Sequence, residues 1–296
     1  MLLAVAAVLL FVVGAPLLVL PDRTLDWAPW TVGSPLTATV VGGVLWAIVL
    51  MAVVAIAGSD RWVDLRAAVI TILVAGPLLL AATLLDADVL SEEWMRWAWV
   101  VVLAVVPVLA GAALFTGATG APADVRREDM PSPALSALVA LEAGALLALA
   151  GVLLFDSTRA ARLVPWPASG LDSGTIGALA GVLGVAAAAA TFEGEPRRLR
   201  SLGVLDIAAA VAVFAALLRD TDHLDWGRPM TWVVAVFMGL LAATGVWTVL
   251  AGRATEPAGT GETEKKRGRS KGMRERQMKR KVLANVKNSV LGSIKR

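Results

Sequence analysis

Eight long apolar runs divide this chain, and none shows the two-residue alternation of a half-buried strand. Stretches such as Val100-Val101-Val102-Leu103-Ala104-Val105-Val106 are apolar on every face. That excludes a membrane barrel and predicts helices, each about 20 residues long, crossing a bilayer core about 30 Å thick. The predicted spans fall at about 1–20, 36–58, 67–85, 97–115, 133–155, 174–192, 202–218 and 230–251. The expected fold class is therefore an all-α membrane protein with eight transmembrane helices. Span one also has to be weighed as a secretory signal, but no Lys or Arg precedes it and Pro16 to Pro21 offers no small-residue cleavage site.

The polar punctuation repeats. Trp27-Ala28-Pro29-Trp30-Thr31-Val32-Gly33-Ser34-Pro35-Leu36-Thr37 separates spans one and two, and Val164-Pro165-Trp166-Pro167 separates spans five and six, 136 residues later. Ser59 to Arg66 is echoed by Glu193 to Arg200, and Leu84-Leu85-Asp86-Ala87-Asp88 by Leu218-Arg219-Asp220-Thr221-Asp222, both at an offset of 134. Three landmarks at nearly one offset predict a four-helix unit written twice. An even number of spans per unit makes the repeat parallel, about an axis along the membrane normal. The units are read as 1–116 and 133–251, joined by a Gly- and Pro-rich linker at 117–132 and followed by a tail at 252–296. Gly76-Pro77 should kink span three, and Pro107 stands inside span four.

Charge adds an orientation. Loops after spans two, four and six carry Arg61, Arg66, Arg126, Arg127, Arg197, Arg198 and Arg200, whereas the opposite face carries Arg23, Arg96, Arg159, Arg162, Arg219 and Arg228. With the tail on the first face, the positive-inside rule puts both termini in the cytoplasm of a bacterial inner-membrane protein. The tail holds every Lys of the protein, seven, with seven Arg and four Glu. Residues 252–270 read as a flexible linker. From about 271, Val282, Leu283, Val286, Val290, Leu291 and Ile294 recur at helical spacing. Lys279, Arg280, Lys281, Lys287, Lys295 and Arg296 would bring such a helix to anionic lipid of the inner leaflet. RNA or an acidic protein is the alternative partner; nucleic acid is disfavoured because the tail has no aromatic residue to stack on bases.

On Pro21-Asp22-Arg23-Thr24, Ala28-Pro29-Trp30-Thr31 and Pro35-Leu36-Thr37, with Trp62 to Arg66, Ala81 to Leu85, Val164 to Pro167, Glu193 to Arg200 and Asp222-His223-Leu224-Asp225-Trp226, the chain resembles an uncharacterised family of polytopic membrane proteins of actinobacteria and related bacteria. The family pattern repeats a Pro-Leu-Thr-like step in the second unit, where this chain has Gly170-Leu171-Asp172-Ser173. The resemblance implies no activity.

Chemistry-bearing residues are few. Cys is absent and His223 is the single histidine, which excludes disulfides, thiolate catalysis and His-cluster metal sites. No Walker loop or dinucleotide fingerprint occurs in its structural context, and no cofactor or metal is implied. Glu142 stands about nine residues into span five, where an ionised carboxylate is costly. It reads as a proton or cation relay, or as a protonated Glu bonded to a neighbouring helix. The outer-face acids Asp22, Asp26, Asp86, Asp88, Glu92, Glu93, Asp220, Asp222 and Asp225, with His223, read as a cation-binding cluster or as solvated loop charges and caps. Asp206 reads as an interfacial charge at the start of span seven. Gly177 and Gly181 of span six, with Gly43 at the matching place in span two, predict close helix packing. The expected function is a non-enzymatic membrane assembly or anchoring component. The alternatives are a small-solute or proton-coupled transporter with its path between the units and, last, a metal-dependent lipid-modifying enzyme at the outer face.

Overall fold

In the computed structural model, residues 1–24, 30, 32–58, 62–86, 94–117, 132–193 and 196–254 are described. They form α1 (Leu2–Val19), α2 (Pro35–Gly58), α3 (Trp62–Leu85), α4 (Trp94–Gly117), α5 (Pro133–Phe155), the short α6 (Ser157–Leu163), α7 (Gly170–Glu193), α8 (Pro196–Arg219) and α9 (Pro229–Ala254). Eight of these, all but α6, are long and apolar enough to cross a membrane, and no strand occurs among the described residues. This is an integral membrane architecture. Met1–Arg253 forms one compact unit. Residues 254–296 form another, of which all but Ala254, including Lys279, Arg280, Lys281, Lys287, Lys295 and Arg296, lie outside the described residues.

Helix starts follow local chemistry. Pro35, Pro133, Pro196 and Pro229 each open a helix at a position whose N–H has no partner within the helix. Ser132 caps α5 by accepting from Leu135 N at 3.3 Å. Ser169 and Asp172 form a reciprocal box at the start of α7: the Asp172 N–H donates to Ser169 Oγ at 3.1 Å, and the Ser169 N–H to Asp172 Oδ2 at 2.9 Å. Several helices begin earlier than their apolar runs. Trp62 to Arg66 and Pro196 to Arg200, read above as turns, are the opening turns of α3 and α8. The backbone keeps its helical hydrogen bonds where it leaves the hydrocarbon.

Four helices are central and four peripheral. In their most apolar windows α2, α3, α7 and α8 are 50–67% buried, against 22–33% for α1, α4, α5 and α9. The most extensive contacts join α5 to α7, α1 to α2, α2 to α8, α3 to α7 and α3 to α4. Lipid-spanning helices have little hydrophobic reason to associate, so close approach carries the packing. A Cβ on Gly42 would stand 2.6 Å from Leu18 N and 2.8 Å from Gly14 O of α1. At Gly177 it would stand 2.7 Å from Leu153 Cβ, 3.2 Å from Leu154 N and 3.3 Å from Ala150 O of α5. Gly43 faces Ala212 of α8, its built Cβ 2.6 Å from Ala212 Cβ. Helix α3 runs unbroken through Pro77, and Gly76 is where Pro107 of α4 nests, 2.5 Å from a Cβ placed there.

Candidate functional site

The two Trp-bearing connections lie at one end of the bundle, and their hydrogen bonds cross. The Trp30 indole N–H donates to Asp172 Oδ1 of α7 at 3.2 Å, and the Gly33 N–H to Asp172 Oδ2 at 2.9 Å. In return the Trp166 indole N–H donates to Thr37 Oγ1 of α2 at 2.9 Å. Both indoles are buried, as are Thr37 and Asp172. Asp172 thus serves two purposes with one carboxylate: it closes its own helix cap and holds the other connection. This buried acid stands where the sequence had suggested only a departure from a Pro-Leu-Thr step.

Glu142 lies in α5 on the buried stripe formed by Leu135, Val139, Leu146, Ala150 and Leu153 and is 8% exposed. That is the face α5 turns to α7. From the pairing of Gly177 with Leu153 and of Gly184 with Leu147, the antiparallel register sets the run Ala186 to Ala190 level with Glu142. Methyl side chains there leave room for a carboxyl group and offer it no donor.

The structure corrects the reading of Asp206. Because α8 opens at Pro196, Asp206 stands ten residues into the helix, about 15 Å along its axis. It is fully buried, hence no interfacial charge. Its Cβ lies 3.1 Å from a Cβ built on Gly245 of α9, where Gly203 and Gly245 let the two helices touch. The hydroxyl groups flanking Gly245 on α9 are committed elsewhere: Thr248 donates to Gly245 O at 2.8 Å and Thr244 to Leu240 O at 3.0 Å.

Glu142 and Asp206 lie within electrostatic reach of each other, and all four of their carboxyl oxygens are buried with no hydrogen-bond partner. No Arg among the described residues stands at their depth; those present lie at helix ends. Two carboxyl groups so placed require a compensating cation, either a proton or a small metal ion. That requirement is the arrangement's chemical content: a site inside the membrane that must take up positive charge.

Toward the Trp end from this pair lies a cavity of about 260 Å³, lined by residues including Ala145 and Leu149 of α5, Trp166, Val213 of α8, and Val234 and Phe237 of α9. Ala145 is three residues, about one turn, beyond Glu142.

Among the described residues the outer acids stand apart from one another. Asp86 ends α3 and lies against the start of α7, its Oδ1 3.2 Å from a Cβ built on Gly170. Asp22 stands 4.0 Å from Arg219, and Asp225 pairs with Arg228 at 3.5 Å while accepting from the Gly227 N–H. Asp220 is half-buried at the end of α8, Asp222 is exposed in the Thr221–His223 turn, and Asp26, Asp88, Glu92 and Glu93 lie outside the described residues. Among the described residues no three of His, Asp and Glu converge to hold a metal ion. The chain matches no protein-family model, no curated protein and no solved structure, so the carboxyl pair and its neighbouring cavity are what speak for its chemistry.

Proposed function

We propose that the protein is a proton-coupled transporter whose coupling site is the Glu142–Asp206 pair. One observation carries the reading: two buried carboxyl groups at mid-span, within each other's field, with no hydrogen-bond partner. A purely structural acid in a membrane is stabilised by a donor or a cation from a neighbouring helix. These have neither, and a group that is costly to hold empty is suited to loading and unloading a proton. Both carboxyls belong to helices of the second half, α5 and α8, so the proposed path runs through that half rather than between the halves. Purified protein in liposomes containing a pH-sensitive dye is expected to move protons when a gradient is imposed. Glu142→Gln and Asp206→Asn should each abolish that movement; a wild-type protein that moves none overturns the reading.

The same proposal takes the chain as a parallel repeat. It is supported by equal lengths of α2 and α7, and of α3 and α8, by the matched approaches at Gly42 and Gly177, and by the crossed indole bonds. It keeps the bacterial inner membrane, both termini in the cytoplasm and the family resemblance, all from the sequence.

Assembly or anchoring is the second reading, resting on the tail's 14 cations and the helical spacing of its apolar residues. Truncation after Thr255 is expected to leave the bundle folded and remove any preference for anionic liposomes. Retention of that preference would defeat the tail reading alone.

A further inference from the structure

The cavity beside Trp166 has a counterpart in the first half that is filled. Buried Val106, Ala110 and Ala113 of α4 match buried Leu241, Gly245 and Thr248 of α9 at an offset of 135, and Trp97 matches Trp232 at the same offset. That register sets Trp99 opposite Val234. In the first half Trp99 is buried, packs edge-on against Trp30 at 5.3 Å and donates to Thr83 Oγ1 at 3.1 Å. In the second half Val234 stands where an indole would, and the space between it and Trp166 is open.

We infer that this cavity is the body-binding part of a substrate site, and that the substrate is a small apolar organic cation whose positive head is directed toward Glu142 and Asp206. The inference rests on the transporter reading above and adds the class of molecule carried. Three features lead to it. The walls are aliphatic and aromatic, and Trp166 and Phe237 are among them, residue types whose rings attract both apolar groups and cations. The indole N–H of the lining cannot serve a ligand that needs a donor, because Trp166 gives it to Thr37. Ala145 of the cavity wall is one turn from Glu142, and in a medium of low dielectric constant a charge is felt over that distance. An anion would be repelled there; a neutral molecule would gain nothing from the acids.

Benzyltrimethylammonium and its neutral isostere neopentylbenzene distinguish these cases on the purified full-length protein, by calorimetric titration in detergent. The cation is expected to bind at least tenfold more tightly than the isostere, and Glu142→Gln should remove that difference. Val234→Phe, which narrows the cavity, should weaken the cation at least tenfold, with a monodisperse elution profile and an unchanged unfolding midpoint showing that the variant is folded. Equal binding of cation and isostere, or a preference that survives Glu142→Gln, would overturn the inference by making the cavity an ordinary apolar void open to lipid chains. Proton movement in liposomes separates the two levels. Glu142-dependent movement without cation binding leaves the coupling site standing and removes the substrate class; loss of both removes both.

Discussion

Under the proposed repeat, the two halves of the bundle share the lengths of α2 with α7 and of α3 with α8, their glycine contacts and their crossed connections, and two of the places where they differ bear on the proposed site. At mid-bundle the first half has Ile72 and Ala6 where the second has Asp206 and Glu142, taking offsets of 134 and 136 from the helix ends and the Gly42 and Gly177 contacts. Near the Trp end it has Trp99 where the second has Val234. Each substitution exchanges apolar packing for something a closed core does not need, a carboxyl group or an empty volume. Their occurrence together in one half is what the proposed function reads as a site set on a scaffold.

That contrast can be broken by making either half resemble the other. Trp99→Val should open in the first half the void found in the second. It should lower stability by about 3–4 kcal/mol through lost burial and cavity formation, read from unfolding in mixed micelles. A loss below about 1 kcal/mol would mean that Trp99 is not a packing element. Asp172→Ala removes the acceptor of the Trp30 and Gly33 N–H groups together with a helix cap, and should cost about 2–3 kcal/mol. An unchanged midpoint would remove the crossed connection as a stabilising device. Asp206→Ile, which copies Ile72, should have the opposite sign. It should raise stability by about 1–2 kcal/mol because an unsatisfied buried acid is replaced by an apolar side chain, while proton movement in liposomes is lost. A destabilised variant would show that Asp206 has a partner its surroundings do not reveal.

Much of this was legible in the chain. Each span is a long apolar run, and Glu142 is visible because it stands near the middle of one. Asp206 was not, for a physical reason. Arg197, Arg198 and Arg200 precede it and make the segment look like a loop, whereas Pro196 begins a helix there and carries the acid three turns deeper. Asp172 was hidden for another reason. Its importance lies in bonds to residues some 140 positions away, and such pairing leaves no local periodicity to read. The exchange of Trp99 for Val234 required the register of two peripheral helices, which emerges only from which of their faces are buried.

The crossed indole bonds also bear on the order in which the protein can be completed. While a ribosome has made only the first four spans, Trp30 lacks its acceptor, because Asp172 lies on a helix not yet synthesised. The connection between α1 and α2 is therefore closed only once α7 begins to enter the membrane. Thr37 likewise waits for Trp166, so both crossed bonds between the halves have to follow synthesis of the second connection.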